Sequence, residues 1–232
     1  MAIMTLTKTF PTEILERTSA RMPAEDRRRQ IIGVAIQLFS QKGFRGTTTK
    51  EIAMAAGVNE AIIFRHFATK SELYSAIIDE KACARDIPAL DAEIEKFAQL
   101  RNDRKMFERI ALHILDTHEQ DEAFLRLLFY SALEGHELAD LFFRNQVSER
   151  FRMVSDYIKT RIAEGAFRKV DPMIAVRSFF GTILHHALTN RFFNHSLGDQ
   201  KLNLSNRQAA ERFTEFFLAG IINPNYSPNN RK

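Results

Sequence analysis

Residues 47–67, TTTKEIAMAAGVNEAIIFRHF, decide how this chain of 232 residues is read. Thr48-Thr49-Lys50-Glu51 fits a capping box, in which a threonine hydroxyl satisfies a free amide at a helix start and the glutamate reaches back. The helix it opens runs through Ile52, Ala53 and Ala56 and stops at Gly57, which tolerates the positive φ that a sharp turn needs. Asn59 is a good N-cap for a second helix through Ile62, Ile63 and Phe67. Each helix is only about two turns long, too short to be stable alone in water. Such a pair must be held by a larger structure.

On the N-terminal side, RRRQIIGVAIQLFSQKG at 27–43 places Ile31, Val34, Ala35, Leu38 and Phe39 on one helical face, with Gly43 as its stop. On the other side, Thr69-Lys70-Ser71-Glu72 is a second capping box, opening a helix through Leu73, Tyr74, Ile77 and Ile78. From there to about residue 222 the pattern is helical throughout. Pro88 bends or breaks the segment ending LDAEIEKFAQL, and the amphipathic runs RKMFERIALHILDTH and DEAFLRLLFYSAL are parted near His118–Gln120. One long helix is expected over about 137–163, stopped by Gly165. Asp171-Pro172 caps the next, and Ser205-Asn206-Arg207-Gln208 is a third capping box before AAERFTEFFLAGII. Strand-like alternation is nowhere sustained, so the fold class is all-α.

Charge is distributed unevenly. Residues 1–70 hold eleven Lys and Arg against six acids, while residues 71–232 hold 22 basic against 23 acidic residues. A positive excess confined to the first third points to a polyanion partner there. Two short helices joined at a glycine solve a docking problem: one braces across a DNA backbone while the next enters the major groove. Residues 1–22 lack a sustained period and read as a mobile arm, and the Arg27-Arg28-Arg29 run as a solvated face. The segment 223–232 reads as a frayed tail. The N-terminus has no unbroken apolar core of a secretory signal, and no window approaches a membrane span, so a cytoplasmic protein without membrane contact is expected. The one cysteine, Cys83, excludes an internal disulfide and reads as a packed small hydrophobe. No nucleophile elbow, P-loop or dinucleotide fingerprint is present, so no catalytic residue, enzyme activity or cofactor is expected.

AIQLFSQKGFRGTTTKEIAMAAGV at 35–58, FRHF at 64–67 and KSEL at 70–73 together resemble the DNA-binding domain of the TetR family of bacterial transcriptional regulators. The resemblance implies a helix-turn-helix domain over 23–70, followed at 71–222 by a helical effector-binding and dimerisation domain. It implies DNA contacts from Thr49, Lys50, Asn59, Glu60, Ala61, Phe64, Arg65, His66 and Lys70. Of these, Arg65 and Asn59 are the types that pair bidentately with guanine and adenine, and His66 and Lys70 resemble phosphate clamps. Two departures stand out: Phe64 replaces a frequent tyrosine and lacks its hydroxyl, and Ala61 replaces a frequent glycine.

The resemblance further implies partners: a double-stranded DNA operator, a second copy of the chain, and an unidentified small-molecule effector. The expected dimer interface comprises Phe179, Ile183 and Ala187 with Phe213, Phe216, Phe217 and Gly220, and Gly181 would permit close approach. An apolar effector pocket among residues 103–193 is expected to use Phe107, Phe124, Leu128, Phe143, Phe151 and Phe180, with Leu112, Ile114, Phe129 and Met153 as further apolar candidates. His113, His118, His185 and His186 lack ligand spacing, so no metal site is expected. The expected function is a repressor released by its effector. The alternatives are an effectorless DNA-binding member controlled by a protein partner, or a helical enzyme or carrier.

Overall fold

Helix α1 (Ala24–Lys42) begins directly after Pro23 and ends at Gly43, whose φ of 70° turns the chain back. The computed structural model describes residues 22–83, 87–193, 196 and 198–226. The expected arm, apart from Met22, the tail residues 227–232 and the Cys83 side chain lie outside the described residues. Thr48 caps α2 (Thr49–Ala55), with both halves of the expected capping box formed. Asn59 caps α3 (Glu60–His66) by accepting from the Ile62 amide at 3.0 Å. Between them Gly57 takes a φ of 66°, and the Val58 amide donates to Ala53 at 2.9 Å, closing the turn. Helix α4 (Lys70–Cys83) then leads away from this head.

The body is built from α5 (Ile87–Gln99), α6 (Asp103–Gln120), α7 (Glu122–Glu134), α8 (Glu137–Phe142), α9 (Ser148–Ala163), α10 (Pro172–Phe192) and α11 (Asn206–Ile221). Asp171 and Ser205 cap α10 and α11 as the sequence indicates. Pro88 sits in the first turn of α5, where a missing amide costs no hydrogen bond. The parting of α6 from α7 falls at Asp121, whose side chain caps α7. The expected single helix over 137–163 is broken by a π-helical turn, Phe143–Val147. Its start separates two adjacent rings: Phe142 packs edge-on to Phe124, whereas Phe143 packs on Phe151. Among the described residues no strand forms; an isolated antiparallel bridge links Phe167 to Ile222.

Two hydrophobic cores result. The body core gathers Phe107, Val176, Phe179, Ile183 and Leu218 from α6, α10 and α11. The head core includes Ile31, Phe39, Ile52, Ile63, Phe67 and Tyr74, and also Phe124 and Leu127 from α7. Helix α1 packs on α2 and α4 and also on α7. Ile32 and Ile36, which lie off the single face read from the sequence, are therefore buried too. The packing boundary does not fall at residue 70, because α4 and α7 both complete the head.

One charged cluster lies inside the body. The Arg161 guanidinium, only 6% exposed, donates to both Asp103 oxygens at 2.9 and 2.7 Å and to Glu164 at 2.5 Å. Burial opposes its charge, but these carboxylates hold its pKa above the usual arginine value. Removing one member of a buried pair strands the other charge, whereas an exposed pair contributes little. Arg161→Ala is therefore expected to cost about 3–5 kcal/mol. Arg101→Ala, which removes a 43% exposed partner of Glu164, should cost at most about 1 kcal/mol. Urea unfolding midpoints check both, and equal losses would contradict the account.

Candidate nucleic-acid interface

The head presents α2 and α3 at its outer end, and their capping fixes which side chains remain available. Lys50, Ala61 and Arg65 are exposed, and Phe64 is 48% exposed despite its size. Lys50 and Arg65 make no hydrogen bond or ion pair among the described residues. Ile63 and Phe67 are buried, and Ile62 packs partly against the same core. The apolar half of the motif thus anchors the helix, and the other half is left to solvent. Two exposed cations without a partner among the described residues, and an exposed ring on α3, are side chains of the types that meet phosphates and base edges.

Other expected contacts are already engaged. The Thr49 hydroxyl donates to the Glu60 carboxylate, tying the start of α2 to the start of α3. Asn59 commits its amide oxygen to the α3 cap, so a bidentate adenine contact would require giving up that cap. His66 is partly enclosed and its Nε2 is buried without a hydrogen-bond partner. Burial first, then the charges of Arg65, Arg28 and Arg27, push its pKa below the ordinary value. Burial thus disfavours the charged form of the ring at the position where the resemblance implies a phosphate clamp.

Lys70 departs further from expectation. Its ammonium donates to the Phe44 carbonyl and sits 4.0 Å from the Phe44 ring centroid. Burial lowers its pKa, and the charges of Glu134 and Glu51 act in the opposite direction. This half-buried lysine is engaged with the α1–α2 turn at the position where the resemblance implies a phosphate clamp.

The residue the sequence did not flag is Glu134, the last residue of α7. Its carboxylate accepts from the amides of Phe44 at 2.9 Å and Arg45 at 3.4 Å, about ninety residues away. A Cβ at Gly43 would lie 2.3 Å from the Glu134 Oε1 atom, so the glycine both makes the turn and leaves room for the carboxylate. The Phe44 ring packs on Tyr74 and His136, with centroids 5.0 and 4.3 Å away. The turn leading into α2 is thus held by hydrogen bonds from Glu134 of the body and by Lys70, Tyr74 and His136 around the Phe44 ring.

The expected effector and interface residues are distributed differently from the sequence reading. A cavity of about 510 Å³ opens where α5 and α9 face each other beside the start of α6. None of the six expected pocket residues lines it, although Met153 does. Phe107 is sealed against Phe179 and Phe217, and Phe124 and Leu128 belong to the head core. Phe143, Phe151 and Phe180 form a run of ring contacts from the π-helical turn to α10. Of the expected interface residues, Phe179, Ile183 and Ala187 are buried within the subunit, and Phe213 and Phe217 pack partly against its core. Phe216 is 81% exposed, Gly220 is exposed beside it, and Ile174 on α10 is 67% exposed. His185 is exposed while His186 packs against Phe213.

Comparison with known proteins agrees with this architecture. The profile described as "Bacterial regulatory proteins, tetR family" matches residues 31–77, and that described as "AefR-like transcriptional repressor, C-terminal domain" matches residues 106–220. The Bacillus subtilis regulator YvkB is 25% identical over 201 residues, covering 83% of this chain and 96% of YvkB. AcrR of Shigella flexneri is 32% identical over 123 residues, covering 51% of this chain and 55% of AcrR. Among solved structures, NalD of Pseudomonas aeruginosa, a secondary repressor of a multidrug efflux pump, superposes with a TM-score of 0.59 at 22% identity. That superposition covers 87% of this chain and all of NalD. PfmR of Thermus thermophilus gives a TM-score of 0.60 at 19% identity over 82% of this chain and 97% of PfmR. These relatives are transcriptional regulators, and no helix among the described residues is long and apolar enough to cross a membrane. The chain belongs to the TetR family of helix-turn-helix, DNA-binding transcriptional regulators.

Proposed function

We propose that the chain is a homodimeric, cytoplasmic repressor that binds an operator through α2 and α3 and releases it when a small molecule occupies the α5–α9 cavity. The observation that carries the DNA-contact assignment is that Lys50 on α2 and Arg65 on α3 stand exposed and without a partner among the described residues, with Phe64 and Ala61 also exposed on α3. In the same head Lys42 is paired with Glu51 and Lys70 donates to the Phe44 carbonyl. The repressor direction is supported by the profile matched in the body and by NalD. Selection of binding sites from random duplex DNA by the purified full-length protein tests the proposal; recovery of no enriched sequence would sink it.

Arg65 is assigned to base edges and Lys50 to phosphate. Arg65→Ala should weaken binding to the selected operator by about 1–3 kcal/mol, leaving the helical circular-dichroism signal unchanged. Lys50→Ala should lower the salt dependence of binding by about one unit of slope, sequence by sequence alike. Lys70→Ala should instead lower the melting temperature while leaving that slope unaltered. A changed slope for Lys70→Ala would return it to the phosphate contacts.

The dimer face is assigned to the outer sides of α10 and α11. Phe216 and Ile174 expose large apolar surface there, and a Cβ built at Gly181 or Gly220 meets nothing within 4 Å, leaving room for a second helix. Exposed apolar surface of this kind marks interaction sites, and a two-fold dimer lets two reading heads engage two half-sites. Phe216→Glu should halve the mass seen by sedimentation and weaken operator binding in parallel. A variant that stays dimeric with full affinity would contradict the assignment.

A further inference from the structure

The cavity between α5 and α9 has a chemical bias that narrows its occupant. On α5, Asp91, Ile94, Glu95 and Ala98 recur at helical spacing and all line it. On α9, Met153 and Val154 supply apolar surface, and Tyr157 and the buried Met106 also line the cavity. The lining is therefore mostly apolar, and two methionines give it adaptable, polarizable walls suited to an aromatic or aliphatic body. Its volume of about 510 Å³ falls within the range of small-molecule sites.

The polar groups are few and unequal in sign. One oxygen of the half-buried Asp91 is buried and has no hydrogen-bond partner among the described residues. Glu95 and Glu149 are exposed and also line the cavity, where among the described residues Arg150 is the one cationic side chain. A buried carboxylate oxygen without a donor is costly, and a charge-assisted hydrogen bond removes that cost. An anionic ligand would face three carboxylates against one guanidinium, and a purely apolar ligand would leave Asp91 unsatisfied. An organic cation carrying N–H donors answers both conditions.

We infer that the cavity between α5 and α9 binds an amphiphilic amine in its protonated form, with the ammonium on Asp91 and the apolar body against Met106, Met153 and Val154. This rests on the proposed effector reading for its regulatory meaning, but not for the binding itself. Calorimetric titration of the full-length protein at pH 7 tests it with three matched probes: 4-phenylbutylamine, 4-phenylbutanol and 4-phenylbutanoate. The amine should bind at least about tenfold more tightly than either analogue, as expected for one charged hydrogen bond. Asp91→Asn should remove that preference while leaving the affinity for the alcohol within about twofold.

Equal or tighter binding of the alcohol or the acid, no binding of the amine, or an amine affinity indifferent to Asp91→Asn would each overturn the inference. A parallel titration of the protein–operator complex separates it from the effector reading. Asp91-dependent amine binding that leaves the DNA bound keeps this site and sinks the effector role. Release of DNA by the alcohol or acid, unchanged in Asp91→Asn, keeps the effector role and sinks this site.

Discussion

The packing of α1 against α7, closed by the Glu134 carboxylate under the α1–α2 turn, is the constraint on which the rest depends. Helices α2 and α3 have seven residues each, and such short helices gain little stability without tertiary packing. Their stability comes from a core that includes Phe124 and Leu127 of the body. The reading surface inherits its orientation from the same contact. Phe44 and Arg45 are fixed by Glu134, the α2 cap at Thr48 lies three residues beyond Arg45, and Thr49 joins α2 to the start of α3 through Glu60.

This arrangement gives a physical path by which an occupant of the body would affect the head. One wall of the α5–α9 cavity is α9, and the chain runs back from α9 through the π-helical turn and α8 to Gly135 and the end of α7. Single π turns interrupt helices with irregular geometry and occur often at functional positions. Here the turn lies between the cavity wall and the residue that seats the reading head. On the proposed reading, an occupant that favours one placement of α9 shifts the balance between two placements of Glu134. Its effect on DNA is limited by the difference in its affinity for the two states.

Many helix ends and the turn between α2 and α3 were legible in the sequence because they are specified locally. The capping boxes at Thr48 and Ser205, the cap at Asn59 and the turn at Gly57 all depend on residues within a few positions of one another. What depends on distant packing was not legible. Lys70 and His66 lie at motif positions that suggest phosphate clamps, but the Phe44 carbonyl engages one and burial disfavours the charged form of the other. Glu134 carries no local signal beyond standing before a glycine, since its partners are about ninety residues earlier. The phenylalanines were too numerous to sort by type. Phe179 and Phe216 share a composition but sit on opposite sides of the packed helices, and only burial separates them. The cavity escaped notice because its distinguishing residue is an acid, Asp91, on a helix read chiefly as a linker.

The central claim is that the body, through Glu134, sets the geometry of the reading surface. Operator affinity and amide hydrogen exchange of Glu134→Gln, measured together, test it most directly, because Glu134 is far in sequence from every residue expected to touch DNA. The account predicts faster exchange at the Phe44 and Arg45 amides and through the start of α2. It also predicts an operator affinity lowered by about tenfold, with the body's exchange unaltered. Unchanged affinity together with unchanged exchange at Phe44 and Arg45 would contradict it.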